Sequence, residues 1–494
     1  MLTYQALQEM ETSPYYLKEA PERILQFGTG NFLRGFVGDF VDQMNEQIGY
    51  NTKIVMCKLI PSGGSHSINA QEGLYTLYTR GYEKGVAVEK QRILSAVSRC
   101  IDPYADFDSL LRVAQNPLLE IVVSNATEAG IVYDVSCSFN DQPPASFPAK
   151  LTRFLYERYS YFEGDSTKGL CMLPCELIDD NGVQLKHYVK KHSQAWQLGE
   201  DFEKWLDEAN VFCNTLVDRI VTGYPKKEKE RLETTWGYQD TQIVATECYA
   251  LWVIESFKPL RGLPFEKTTL PIRQTTDYKP YKERKVRLLN GAHTSFVLGA
   301  YLSGQNNVRE SLEDPVIEEN LRQTLENEII PAMQGDRQAH QAFMLDVIER
   351  FKNPFIDHQL LDIALNTTAK LKARILPSLL DYDKRFGKLP EHLVAAFAYY
   401  VVFYKDLCQD ENGYFGQREG ERYKIVDAQE VLAFYRQHQG QKIADLIHEL
   451  CQRVDFWEMD LSSIPNFEQL LHAQVCCIEA KGIRFFMIQL MTFK

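Results

Sequence analysis

Apolar residues follow two rhythms along this chain, and the change between them falls a little past its midpoint. In the first half, short runs of consecutive apolar residues alternate with stretches whose apolar positions recur every three or four residues. Residues 24–27 form the first run and lead directly into Gly28-Thr29-Gly30. The stretch that follows places Phe32, Phe36, Phe40 and Met44 four apart, on one face of a helix. Residues 53–60 read as a second strand closed by Pro61-Ser62-Gly63-Gly64, and residues 119–124 and 170–173 as two more. Buried-type strands alternating with helices predict a parallel sheet with helices on both faces. After about residue 275 the strand-like runs end and long amphipathic helices take over. The most apolar window, 392–404, reads as a buried helix. The polar stretch 275–285, with Pro280 inside it, marks the expected boundary. The expected architecture is therefore a doubly wound α/β domain over 1–275 and an all-α domain over 276–494, with a ligand cleft between them. No internal repeat or low-complexity tract interrupts this pattern.

A length of 494 residues agrees with two domains. Hydrophobic residues at 45% and charged residues at 24% are globular values. The net charge of -13 argues against a nucleic-acid surface and means that an anionic ligand must be held by local cations. No basic segment followed by an apolar run opens the chain, and no apolar stretch reaches membrane-spanning length, so a cytoplasmic protein without membrane contact is expected. Eleven cysteines at irregular spacing contain no CxxC pair, which favours reduced thiols and no metal site.

Gly28-Thr29-Gly30-Asn31-Phe32-Leu33-Arg34-Gly35 lies where a dinucleotide fingerprint belongs, between the first strand and the first helix. Gly28 permits the tight turn, and Gly30 lets backbone N–H groups approach a pyrophosphate at the helix start. The third glycine is displaced, with Leu at 33 and Gly at 35. Phe27 to Arg34, residue by residue, are the candidate cofactor contacts of a Rossmann-like domain, with Asn125 after the strand at 119–124 as another. The choice between NAD and NADP stays open on residues alone. The second strand ends without an acid for the ribose hydroxyls, and Lys58 there argues toward a phosphate.

Lys285, Asn290 and His293 open the helical half. On an α-helix Asn290 lies about 140° and His293 about 80° round from Lys285, so the three fall on one side. A partly desolvated lysine is a suitable acid and base for carbonyl reduction, and Asn and His polarise the oxygen. Spacing alone favours the plainer reading, a solvated Lys285 beside two satisfied polar core residues. Gly291 costs on the order of 1 kcal/mol in a helix interior, which a close approach of ligand or backbone would justify.

These motifs in this order resemble the polyol-specific long-chain dehydrogenases, the mannitol dehydrogenase group. The resemblance runs through the glycine loop, Gln71 to Thr76, Ser124 to Gly130, Val217-Asp218-Arg219-Ile220, the Lys285/Asn290/His293 set and Arg350-Phe351-Lys352-Asn353-Pro354. It covers nearly the whole chain. It implies a metal-independent, NAD-dependent secondary-alcohol dehydrogenase with Lys285 as general acid/base, Asn290 and His293 polarising the carbonyl, and a monomer or small homo-oligomer. Many members carry Cys-Asp-Asn or Cys-Glu-Asn where this chain has Cys175-Glu176-Leu177. The missing amide leaves Asn125 or Asn214 as replacements, and the Glu-Leu form resembles the uronate-reducing branch. The implied substrate is a small sugar acid, and the basic pair Lys370 and Arg374, four apart, is the expected carboxylate clamp. Lys372 in the same run makes a solvated basic stripe the alternative. His358 is equally a cleft residue or a structural one. Rival readings are a ketose or polyol substrate in the same family, or a module that binds NAD without turnover. A kinase lacks its GK[ST] loop here, and a zinc dehydrogenase its ligands.

Overall fold

A computed structural model describes residues 1–10, 14–62, 65–83, 85–126 and 130–492. Residues 63 and 64 of the turn after the second strand, and 127–129 of the run from Ser124 to Gly130, lie outside the described residues. The chain divides into two compact units, Met1–Lys279 and Pro280–Lys494.

In the first unit six parallel strands form one sheet: β1 (Glu22–Phe27), β2 (Lys53–Cys57), β3 (Val97–Ile101), β4 (Ile121–Ser124), β5 (Cys171–Pro174) and β6 (Val211–Phe212). Their order is β3-β2-β1-β4-β5-β6, the doubly wound dinucleotide-binding arrangement, with its switch point between β1 and β4. Every residue of β2, β4 and β5 is buried, which is why these strands read as unbroken apolar runs. Alternate residues feed opposite layers. Ile24, Ile54, Met56, Ile121 and Val123 pack with Phe36, Phe40 and Trp252 on one face, and Leu25, Phe27, Val55 and Val122 with Phe147, Leu151 and Phe154 on the other.

The aromatic stripe of the first helix is present: the rings of Phe32 and Phe36 stack at 5.1 Å, and Phe36 meets Phe40 at 4.9 Å. The helix itself is not continuous. One turn, Asn31–Arg34, is followed by Gly35, and the helix restarts as Val37–Ile48. A Cβ on Gly35 would lie 2.8 Å from Thr246 Cγ2, and the freed Gly35 carbonyl accepts a hydrogen bond from Arg219 at 2.8 Å. Arg219 also pairs with Asp39 at 2.6 Å, with both side chains buried. The displaced glycine thus supplies the close helix–strand packing expected of the third glycine. Four- and three-stranded sheets complete the unit, the larger built on the hairpin Tyr75–Glu83 and Val86–Leu94.

The second unit is helical, and the apolar window forms the buried helix Glu391–Tyr404. Strand does not vanish there, however. Cys408–Asp410, Gly413–Arg418 and Glu421–Ile425 form an antiparallel meander. Only Gly416, Tyr423 and Ile425 of its strands are buried, so no apolar run announces it. It is held by Arg418, which donates to the carbonyls of Tyr301 and Gln305 and lies 4.0 Å from the Tyr301 ring centroid. Among the described residues no helix is long and apolar enough to cross a membrane, no His/Cys/Asp/Glu group is arranged to hold a metal, and all eleven cysteines are free of disulfides.

His192 gives this fold an acid limit. Its ring is fully buried between Tyr133 and Trp196, and neither nitrogen has a partner among the described residues. Burial pushes its pKa from 6.5 down to about 4. The folded chain therefore needs the neutral ring, while the unfolded chain protonates at its ordinary pKa. Stability is fully present above pH 6.5, falls as pH drops toward 4, and levels off below. The shift corresponds to at most about 3 kcal/mol. Thermal melts from pH 7.5 to 4.5 should show this loss, and His192→Phe should flatten the slope; an unchanged slope would contradict the assignment.

Candidate functional site

The cofactor end is built at the carboxyl ends of β1 and β4. Gly28 has φ +114°, donates its N–H to Cys57 O at 2.9 Å, and would place a Cβ 3.2 Å from Asn125 O. Only glycine turns the chain there without strain. At Gly30 a Cβ would meet nothing within 4 Å, and no side chain caps the turn Asn31–Arg34 that follows. Its leading N–H groups are thus left for a ligand, and the open glycine leaves room for one. These features fit a dinucleotide pyrophosphate.

The predicted contact residues divide by the direction of their side chains. Phe27 and Leu33 are buried in the core and Phe32 stacks on Phe36, so these three offer only backbone to a ligand. Thr29 is half-buried and Gly30 exposed. Arg34 corrects the sequence expectation. Its guanidinium turns inward, donating to Asn31 Oδ1 at 2.6 Å and Gln242 O at 2.7 Å, and packs on the Tyr75 ring. It is 7% exposed, so it organises the loop from within. Lys58 is likewise spent: its buried side chain forms an ion pair with the half-buried Asp102 at 2.6 Å, which leaves no free ammonium for the extra phosphate of NADP. The carboxylate comes from the residue after β3, a neighbour that sequence spacing does not reveal.

At the end of β5, Glu176 is buried, accepting from Ala126 N–H at 2.8 Å and Ser124 Oγ at 3.1 Å. Burial raises its pKa against these hydrogen bonds. It pins the loop that carries Asn125, whose amide donates to Cys175 O at 2.8 Å. Leu177, in the place of the family's amide, is exposed. Asn214 is no free replacement for it. Its oxygen accepts the N–H groups of Gly182 and Val183, and its amide donates to Glu255 at 2.6 Å. All of its hydrogen bonds hold the fold.

The Lys285/Asn290/His293 run lies on one rod: Lys279–Arg284, a π-helical stretch Lys285–Asn290, then Gly291–Leu302. Gly291 N–H bonds Val286 O, five residues back. This wider turn brings residues five apart, Lys285 and Asn290, closer to one line than the α-helical 140° allows, and such turns recur at functional sites. Two further π stretches, Thr324–Ile329 and Leu371–Ile375, meet it at Gly291. A Cβ there would sit 3.4 Å from Arg374 O and 3.9 Å from Ile329 Cδ1, which admits one methyl and little more.

His293 stacks on Phe351 with centroids 4.1 Å apart and meets His358 edge-on at 5.6 Å. Its pKa is held well below the ordinary value by burial first, then by His358, Arg350, Arg374 and Lys370. The imidazole is therefore neutral, inside a group of four basic side chains. Arg374 reaches Thr294 Oγ at 3.4 Å, and that hydroxyl donates to Asn290 O at 2.9 Å. Lys370 donates to Ile363 O at 2.7 Å. Burial, then Arg374, lowers its pKa. Lys372 pairs instead with Glu458 on the surface, so it is the solvated member of that run. The structure brings His358 to His293 and adds Arg350, a member of the run Arg350 to Pro354 to which the sequence assigns no role. Its only signal was the position one residue before Phe351.

Comparison with known proteins agrees with this layout. The family model for the mannitol dehydrogenase Rossmann domain matches residues 22–265, and that for the mannitol dehydrogenase C-terminal domain matches 277–477. The altronate oxidoreductase of Klebsiella pneumoniae (strain 342) is 43% identical over 472 residues, covering 94% of this chain and 96% of that protein. That of Yersinia enterocolitica is 41% identical with the same coverage. Among solved structures, a substrate-free D-sorbitol dehydrogenase aligns with a TM-score of 0.80 at 20% identity, over 99% of this chain and all of that one. Pseudomonas fluorescens mannitol 2-dehydrogenase, in ternary complex with NAD and D-mannitol, aligns with a TM-score of 0.70 at 20% identity over the whole of both chains.

Proposed function

Because this chain belongs to the mannitol dehydrogenase family, we propose that it interconverts tagaturonate and altronate, a redox step in the breakdown of galacturonate. It is an oxidoreductase of polyols or sugar acids, and its cofactor is NAD. The observation that carries the finer reading is the group of basic side chains (Lys370, Arg374, Arg350 and His358) around a neutral His293, three residues from Asn290. A chain of net charge -13 concentrates Lys370, Arg374 and Arg350 there, as an anionic substrate requires, while burial lowers the pKa of His358 and keeps its ring neutral. The altronate oxidoreductases at 41% and 43% identity support the same substrate.

When bound, the cofactor would supply the hydride as NADH for reduction, or accept it as NAD⁺ in oxidation. Lys285 holds the proton on Nζ and delivers it to the oxygen of the carbonyl being reduced. Asn290 and the neutral ring of His293 donate hydrogen bonds to that oxygen as it gains negative charge. His293 must stay uncharged so that it does not compete with Lys285 for the role of acid, and its burial among cations secures this. Lys370 and Arg374 receive the carboxylate at the far end of the substrate, where charge-assisted hydrogen bonds orient it.

A panel of tagaturonate, fructuronate and fructose, each with NADH and NADPH, tests the assignment. We expect tagaturonate with NADH to give the highest kcat/KM, and NADPH to be poor because Asp102 occupies Lys58. A higher value for fructuronate or fructose would reassign the substrate within the family.

A further inference from the structure

The helix turn that carries Lys370, Thr367–Lys370, has no capping side chain of its own: Asn366 stands at its start with φ +54° and caps nothing. The cap comes from 59 residues further along the chain. Asp427 Oδ2 accepts Thr368 N–H at 3.1 Å, Thr368 Oγ at 2.9 Å and Tyr404 Oη at 2.8 Å, while Oδ1 accepts Ala428 N–H at 2.8 Å. Beside it, Asn366 N–H donates to Val426 O at 2.8 Å, and Tyr400 Oη lies 2.8 Å from Thr368 Oγ. Asp427 is 8% exposed, and among the described residues no Lys or Arg forms an ion pair with it.

Serine or asparagine caps a helix turn without the cost of burying a charge. Here the two carboxylate oxygens take four neutral donors, and the charge acts in addition on a group further away. The basic group fits. Lys370 lies two residues beyond Thr368, and the Asp427 carboxylate is the group that favours its ammonium form, against burial and Arg374. Asp427 also joins this turn to the helix Glu391–Tyr404 through Tyr404, and to the start of Gln429–Gln437 through Ala428. The turn is thus fixed to two other elements before any ligand arrives.

We propose that Asp427 is a positioning residue for anion recognition: it anchors the turn bearing Lys370 and sets a counter-charge behind the cationic pair, so that Lys370 and Arg374 stand ready for a carboxylate. This rests on the substrate reading above. Asp427 does not touch the substrate; it acts through Lys370.

The test is a double-mutant cycle on the full-length enzyme, read as KM for tagaturonate, kcat, and Kd for NADH. Asp427→Asn keeps the cap's shape and removes its charge. It should raise KM at least tenfold, with kcat within threefold and Kd for NADH unchanged. Thr368→Val removes hydrogen bonds but leaves the charge, and should raise KM less than threefold. In the Lys370→Met background, Asp427→Asn should add nothing to KM, because neighbours acting through one group are not additive. Additive effects, an unchanged KM in Asp427→Asn, or equal losses in Asp427→Asn and Thr368→Val would overturn the proposal. If Asp427→Asn does not fold, Asp427→Ser, which also removes the charge and keeps a capping oxygen, enters the same cycle, where additivity with Lys370→Met again decides against it. Failure of Lys370→Met itself to change KM would count against the substrate reading instead.

Discussion

Lys285→Ala should lower kcat for tagaturonate reduction about 10³-fold while leaving the Kd for NADH within twofold of the parent enzyme. General acid catalysis contributes roughly 10²–10⁴-fold, so a thousandfold loss corresponds to about 4 kcal/mol of barrier. The two effects separate because the residues lie in different units. The glycine loop and Asn125 belong to Met1–Lys279, and Lys285 to Pro280–Lys494. The half-buried Lys285 sits on the π turn that lines it up with Asn290, so alanine removes the proton carrier and leaves the helix former. Pre-steady-state hydride transfer, followed by NADH absorbance, reads the chemical step directly. A module that only bound NAD would have no turnover for this substitution to affect.

The second large effect is one of specificity. Lys370→Met should raise KM for tagaturonate about 30-fold and leave that for a neutral ketose nearly unchanged. One hydrogen bond to a charged group contributes about 2 kcal/mol, which is the same factor. Methionine keeps the length and apolar stem of lysine, so packing is little disturbed. Lys372→Met provides the control, because Lys372 pairs with Glu458 at the surface and should behave as the parent does. Equal losses on charged and neutral substrates would remove the clamp.

Much of the fold was legible because its signals are local. The β2, β4 and β5 runs announced themselves by total burial, and the aromatic stripe of Phe32, Phe36 and Phe40 announced the first helix. What was missed depends on partners distant in sequence. The break at Gly35 is made by Thr246 and Arg219, which no window around the glycine contains. Lys58 reads as available for a phosphate, but Asp102, the residue after β3, pairs with it. Arg34 looked like a cofactor ligand but faces Tyr75.

The candidate site divides the same way. Spacing placed Lys285, Asn290 and His293 on one side of a helix, but the π turn that tightens the first pair depends on a hydrogen-bond register that side-chain pattern does not encode. Lys370 and Arg374 were visible as a pair four apart. Arg350 and His358 join them only through tertiary packing around His293. Asn214 shows the reverse case: its residue type suited a substrate ligand, and its neighbours claim every hydrogen bond it has.

Chemical rescue measures the role of Lys285 most directly. Small primary amines added to the Lys285→Ala enzyme should restore hydride transfer in a saturable way, with a rate that follows the amine's pKa, as expected when an external ammonium takes over the missing proton transfer. A Lys285→Ala enzyme that already reduces tagaturonate within threefold of the parent rate, with no response to any amine, would contradict the account.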